Sequence, residues 1–393
     1  MPGTASVIVS AARTPIGGFL GALQHLSAPE LGAVALQAAV ARARITAATV
    51  QQVLMGCVLQ AGVGQSPARQ ASIRAGIPES VGVCTVNKVC SSGLVAVMWA
   101  DQMIRAGDAA VVAAGGMESM SRAPYLLPNG RTGLRLGHGL MVDAMIHDGL
   151  WDAFRRFHMG NAAELLAREL QMSRAQQDAY ALESYRRAQA AIAAGWFAEE
   201  IVPVPIAAPK DASTAVAIDE GPGKLDRARF ANLKPVFEKD GTVTAGNASS
   251  IGDGAAALVV MSEAAATQYR CAPLARIVAH AGVAQAPEKF TTAPERAVAA
   301  ACEKAGLRPK EIDLFEINEA FACVAVRAID ALQLDPKQVN VHGGAVALGH
   351  PIGASGARLL VTLLHAMKRL GARRGCVSLC NGGGEATAMI VER

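Results

Sequence analysis

Two stretches of this chain repeat one order of elements. Residues 81–116 read as strand, special junction, small-residue helix, strand and glycines, and residues 339–384 run through the same order. Cys90 falls at the junction of the first copy, and His350 and Cys380 fall at the informative turns of the second. A repeated α/β unit is a strong constraint, because each copy must cover its own sheet with helices and the pair must share an interface. The length of 393 residues accommodates this, since a single core usually stops growing near about 250–300 residues. Chemistry carried on equivalent turns is then placed between the halves.

The remaining pattern agrees with α/β architecture. Ser6 to Ala11, Val53 to Leu59, Val81 to Val86 and Ala109 to Ala114 read as buried strands, the last ending at Gly115-Gly116. Glu30 to Ala43 and Ser91 to Arg105 read as helices between them. After Pro273 the alternation starts afresh: strand Leu274 to Ala279, helix Glu295 to Lys304, strand Ile312 to Ile317, helix Glu319 to Ala331 and strand Val339 to His342. A helix near Ala354 to Arg369 and strands near Gly375 to Leu379 and Ala386 to Val391 complete it. The stretch between breaks the alternation, with helices at Asn161 to Leu170 and Arg174 to Ala194 and a solvated loop at Lys210 to Arg229. This divides the chain into an N-terminal half of residues 1–121 and 249–271, an inserted loop domain of 122–248, and a C-terminal half of 272–393.

Composition narrows the function. With 51% hydrophobic and 18% charged residues the chain is no disordered tail, and 37 basic against 33 acidic side chains make no nucleic-acid footprint. The eight cysteines form no Cys-x-x-Cys pair, so reduced thiols are the default. Met1 to Ala12 has no basic leader region, and no stretch reaches about 18 uninterrupted apolar residues. A cytoplasmic protein with no membrane partner is expected.

Four constellations can carry chemistry. In Val86-Asn87-Lys88-Val89-Cys90-Ser91-Ser92-Gly93, a cysteine at a helix start meets unpaired backbone donors that favour thiolate, which suits a nucleophile; the competing reading is a small buried hydrophobe. In Gly349-His350-Pro351-Ile352-Gly353, proline and glycines preorganise a loop around an imidazole that acts as base or oxyanion donor, or is a satisfied structural histidine. Cys380-Asn381-Gly382-Gly383-Gly384 closes a strand with a thiol suited to carbon proton transfer and an unobstructed glycine N–H. Asn318, before Glu319, either orients a water or carbonyl or caps the following helix. Zinc held by two cysteines and one histidine lacks a fourth ligand, and neither a phosphate loop nor a dinucleotide fingerprint is present.

Together with Arg13-Thr14-Pro15, Gly64-Gln65-Ser66-Pro67-Ala68-Arg69-Gln70 and Gly115-Gly116-Met117-Glu118-Ser119-Met120, these motifs resemble the thiolase family over nearly the whole chain, and within it the short-chain acetyl-CoA acetyltransferases. The resemblance implies a duplicated thiolase fold of two similar mixed-sheet halves with helices in layers, plus the inserted loop domain. It implies a ping-pong acyltransferase that condenses two acetyl-CoA to acetoacetyl-CoA and CoA, or cleaves in reverse. CoA is then substrate and product, with no tightly bound cofactor and no metal. By this carry-over Cys90 takes the acyl group, His350 handles its proton, and Cys380 exchanges the proton of the carbon. Asn318 holds a water in one oxyanion site with His350, and Gly382 and Cys90 N–H groups form another. His158, Met159, Ser249 and Phe321 contact substrate, and Lys224 and Arg227 reach the CoA nucleotide. The glycine- and arginine-rich stretch 122–140 is similar to a tetramer-assembly loop, implying a homotetramer. A broader-chain 3-ketoacyl-CoA thiolase of fatty-acid β-oxidation is the alternative. Departures from the family occur at Asn381, often apolar; at Glu288 to Pro294, often Met-Gly-x-Gly-Pro; and at Gly223, often basic.

Overall fold

Both faces of the first strand are buried, which is why Ser6 to Ala11 reads as a continuous apolar run and not as an alternation. The computed structural model describes residues 5–206 and 214–393. Its nine principal strands are β1 (Ser6–Arg13), β2 (Gln52–Gly56), β3 (Gly82–Val86), β4 (Val111–Ser119), β5 (Gly252–Ser262), β6 (Ala275–Ala284), β7 (Leu314–Ile317), β8 (Arg374–Asn381) and β9 (Glu385–Glu392). The helices that matter here are α1 (Ala28–Arg42), α2 (Pro67–Arg74), α3 (Ser92–Ala106), α4 (Met159–Glu169), α5 (Arg174–Ala193), α6 (Ala293–Ala305), α7 (Ala322–Leu332) and α8 (Ser355–Leu370).

The strands join in one sheet in the order β7-β8-β9-β6-β1-β5-β4-β2-β3. The duplication is visible in that order. From its edge inward, the N-terminal half runs third, second, fourth, fifth, first strand, with the first three parallel. The C-terminal half repeats this, with a single parallel bridge between Phe315 and Val339 standing in for the third strand. Antiparallel pairing of β1 with β6, Val7 opposite Arg276, fuses the halves into one sheet.

Helices α3 and α8 pack on one face of the sheet in a shared core with Ile8, Leu258, Val377 and Met389. α1 and α2 cover the other face of the first half, and α6 and α7 that of the second. Twelve of the 16 residues of α8 are buried, as befits a helix enclosed on every side. α3 and α8 touch at their N-termini. A Cβ on Gly93 would lie 2.9 Å from the Ala357 nitrogen, and one on Gly356 2.6 Å from the Leu94 nitrogen. Only glycine permits so close an approach, and it draws together the two turns that carry Cys90 and His350.

Three expectations are corrected. Gly115 and Gly116 do not end their strand: β4 continues to Ser119, with Gly115 opposite Ala257 and Gly116 opposite Ala256. A Cβ on Gly116 would fall 2.1 Å from the Gly353 carbonyl oxygen, so this glycine marks a backbone contact with the His350 loop. Val339 to His342 forms no strand, because the Asn340 side chain replaces the ladder: its Oδ1 accepts from Ile317 N–H and its Nδ2 donates to the Ile317 carbonyl, both at 2.8 Å. The segment Lys210 to Arg229 is no simple solvated loop. Residues 207–213 lie outside the described residues, but Thr214–Val216 pairs with Val204–Ile206, and Asp219 is buried.

Between β4 and β5 the chain leaves the sheet, and buried ions fasten this excursion back. Arg13 donates to Asp219 at 2.7 and 2.8 Å and to Glu200 at 2.6 Å, and all three side chains are shielded from solvent. Removing one partner of such a buried set costs about 3–5 kcal/mol, because it strands the remaining charge. The Arg13-Thr14-Pro15 motif thus anchors the excursion.

Candidate active site

Cys90 lies in the turn between β3 and α3, two residues ahead of the helix. Val89 adopts φ +47, a left-handed conformation that a β-branched residue rarely takes. Local bonds hold it there: Asn87 Oδ1 accepts from Val89 N–H at 3.1 Å, and Ser92 Oγ donates to the Val89 carbonyl at 2.6 Å while accepting from Lys88 N–H at 2.8 Å. The turn aims the thiol into a cavity of about 390 Å³. Burial pushes the Cys90 thiol up to about 12, opposed in part by the N–H groups of Gly382 and of Cys90 itself. Cys90 therefore rests as a thiol and not as the thiolate expected at a helix start, since desolvation outweighs the backbone donors.

His350 meets the same cavity from the other half. Its Nδ1 is 2.6 Å from Ser355 Oγ, and Ser355 Oγ donates its one proton to the Pro351 carbonyl at 2.9 Å. Ser355 must then accept, so Nδ1 carries the imidazole proton and Nε2 is the acceptor nitrogen. Burial, and secondarily Arg358, lower His350 to about 3, so it is a neutral base. The loop is held by Glu118, whose carboxylate accepts from Gly353, Val58 and Leu59 N–H at 2.9, 3.1 and 3.2 Å.

Asn318 does not cap a helix. α7 starts at Ala322 with Phe321 at its cap, four residues after Asn318 begins the loop. Its Nδ2 faces His350 Nε2 at 3.4 Å, and among the described residues its buried Oδ1 has no protein partner. Glu319 beside it does the anchoring. It accepts from Tyr180 Oη at 2.9 Å, Ser184 Oγ at 2.8 Å, Asn340 Nδ2 at 3.0 Å and Val346 N–H at 3.0 Å, which ties α5 to the C-terminal half.

Cys380 is the penultimate residue of β8 and lines the cavity with Cys90, His350 and Gly382. Burial, then proximity to Cys90, raise its thiol well above the usual range. The structure thus brings two protonated thiols from opposite halves to one neutral imidazole. Among the described residues no three His, Cys, Asp or Glu side chains are grouped to hold a metal.

His158, Met159, Ser249 and Phe321 also line the cavity. His158 caps α4, its Nδ1 accepting from Gly160 N–H at 3.1 Å, and its ring stacks on Phe237 at 4.7 Å. Burial lowers its basicity, so the neutral ring carries its proton on Nε2 as a donor. Lys224 and Arg227 are not brought to the cavity: both are exposed, and Lys224 lies 3.9 Å from Glu220. Sequence reasoning missed Phe290, Leu150 and Phe237 in the wall. For Phe290 the one available signal was its place in the departing Glu288 to Pro294 segment.

The raised thiol has a measurable consequence. Below its own pKa a thiol loses its proton tenfold more with each pH unit, and only the thiolate is nucleophilic. Alkylation of Cys90 in the free protein by iodoacetamide is expected to accelerate about tenfold per unit from pH 6 to pH 9. A plateau beginning near pH 7 would instead reveal a thiolate–imidazolium pair.

Comparison with known proteins agrees with this architecture. The family model described as "Thiolase, N-terminal domain" matches residues 6–264, and "Thiolase, C-terminal domain" matches residues 271–393. The chain is 52% identical over 387 residues to "Acetyl-CoA acetyltransferase 2" of Arabidopsis thaliana, covering 98% of this chain and 96% of that one. It is 51% identical over 390 residues to "Acetyl-CoA acetyltransferase" of Cupriavidus necator, covering 98% and 99%. The crystal structure of the Bacillus anthracis acetyl-CoA acetyltransferase superposes with a TM-score of 0.96 at 40% identity, covering 99% of each chain.

Proposed function

The chain belongs to the thiolase family, and from that premise we propose that it is an acetyl-CoA C-acetyltransferase, interconverting two acetyl-CoA with acetoacetyl-CoA and CoA. The observation that carries the mechanism is the meeting of Cys90, Cys380 and neutral His350 on one cavity. In cleavage, Cys90 Sγ bonds to the 3-keto carbon of acetoacetyl-CoA as its proton passes to His350 Nε2. The Cys90 and Gly382 N–H groups receive the developing oxyanion. Collapse breaks the carbon–carbon bond, leaving acetyl-Cys90 and the enolate of acetyl-CoA. That enolate oxygen is met by His350 Nε2–H and a water on Asn318, and Cys380 delivers its proton to the carbon. The CoA thiol then gives its proton to the Cys380 thiolate and its sulfur takes the acetyl group, while His350 Nε2–H returns its proton to the departing Cys90 sulfur. Splitting the transfer at a covalent intermediate lowers each barrier, and loss of one oxyanion donor costs about 3 kcal/mol.

His158 Nε2–H and Ser249 are assigned to the thioester and pantetheine arm. Met159, Phe290 and Phe321 close the acyl end, and this wall favours acetoacetyl-CoA over the broader-chain reading. CoA passes through as substrate and product, with no resident cofactor in the scheme. Lys224 and Arg227, outside the cavity, remain proposed for the nucleotide. Assembly as a homotetramer is proposed through the arm 122–140, where Leu127, Leu134, Leu136 and Leu140 are exposed. Action in the cytoplasm is part of the same reading. Among the described residues no helix is long and apolar enough to cross a membrane.

Incubation with acetoacetyl-CoA and CoA is expected to yield acetyl-CoA, and intact-mass and peptide analysis to find the acetyl group on Cys90. Each added methylene that the wall rejects costs about 1–3 kcal/mol, so kcat/KM should fall steeply for 3-ketohexadecanoyl-CoA. Comparable values for the two substrates would establish the broader-chain enzyme, and an unacetylated Cys90 during turnover would remove the ping-pong scheme.

A further inference from the structure

The two cysteine-bearing turns are fastened to each other by side chains that do not line the cavity. Ser91 Oγ donates to Asn381 Oδ1 at 2.7 Å and accepts from Thr387 Oγ1 at 3.0 Å. Asn381 Nδ2 donates to the Gly382 carbonyl at 3.0 Å and to Glu385 Oε2 at 3.2 Å. Glu385 Oε2 also receives Lys88 Nζ at 2.6 Å. Ser91, Asn381 and Thr387 are buried.

A serine in the cap position of a helix ordinarily turns its hydroxyl onto that helix. Ser91 occupies the cap of α3 without such a bond, its hydroxyl spent across the half-boundary. The glycine triplet explains why this matters. Gly382, Gly383 and Gly384 have no side chains to hold them, and the last two lie at φ +89 and +83. Such a segment is conformationally loose. The residues at its two ends, Asn381 and Glu385, are the ones tied to the nucleophile turn at Ser91 and Lys88.

We propose that Asn381, through Ser91, is a positioning residue for acetyl transfer, holding the Gly382 N–H against the sulfur and oxyanion of Cys90. This rests on the acetyl-transfer reading above. Oxyanion donors act only when held close to their ideal distance, and displacement of about 1 Å costs on the order of a hundredfold in rate.

The test compares Asn381→Ala, Ser91→Ala and the double variant in single-turnover acetylation of Cys90 by acetyl-CoA, alongside KM and the pH profile of Cys90 alkylation. Each single change is expected to slow acetylation on the order of tenfold to a hundredfold, with KM changed less than about threefold. Alkylation at fixed pH should slow as well, because the thiolate loses its donor. The double variant should be no slower than the slower single, since both break one bond. A protein that is merely less stable would show a lower melting temperature with unchanged acetylation per folded molecule, and that result overturns the proposal. Multiplicative effects in the double variant also overturn it. Should Asn381→Ala not fold, Ser91→Ala decides by its acetylation and alkylation rates. An unacetylated wild-type protein removes the acetyl-transfer reading together with this one; an acetylated wild type with unaffected variants removes this one alone.

Discussion

Cys90→Ala is expected to lower acetoacetyl-CoA thiolysis by about 10⁴-fold or more and to leave no acetylated protein. The magnitude follows from what remains. The oxyanion donors, His350 and the cavity still bind and polarise the substrate, but His350 no longer has a thiol to deprotonate, and the acyl group has no place to wait for CoA. Residual catalysis then comes from binding and donors alone. The fold should survive, because the removed sulfur faces the cavity, and a point substitution of this size costs about 1 kcal/mol. CoA affinity measured by calorimetry should therefore change little while turnover collapses. Normal thiolysis in this variant would exclude the covalent route, and parallel loss of CoA binding and turnover would assign Cys90 a structural role.

The proposed catalytic trio was legible because its chemistry is written in short local motifs: cysteine before a helix, histidine between glycine and proline, cysteine one residue ahead of three glycines. The duplicated order was legible because buried strands and small-residue helices have strong local patterns. What escaped depends on partners far apart in the chain. Asn340 imitates a strand with its side chain, and no hydropathy pattern registers an amide doing the work of a backbone ladder. Gly116 looks like a strand end until the Gly353 carbonyl is placed against it. Asp219 looks solvated until it meets Arg13 at the end of β1. The protonation of Cys90 escaped for a related reason. Helix-end donors can be read from the sequence, whereas the burial that outweighs them is a property of the assembled cavity.

Cys380→Ala is expected to separate the two halves of the reaction. Acetylation of Cys90 by acetyl-CoA needs the nucleophile, His350 and the oxyanion donors, none of which this change removes, so its single-turnover rate should stay within about tenfold of wild type. Carbon–carbon bond formation and cleavage need a proton moved at the α-carbon, and positioned acid–base groups are worth about 10²–10⁴-fold. Burial keeps Cys380 as a thiol. It therefore rests in the acid form that cleavage uses, and in synthesis its proton must leave before it can take one from acetyl-CoA. The exchange of acetyl α-hydrogens with deuterated water reads this step directly. The variant should lose exchange and condensation together while acetyl-Cys90 still accumulates. Exchange at the wild-type rate would transfer the carbon proton to another group, and His350, which lines the cavity with the two thiols, would be the next to replace.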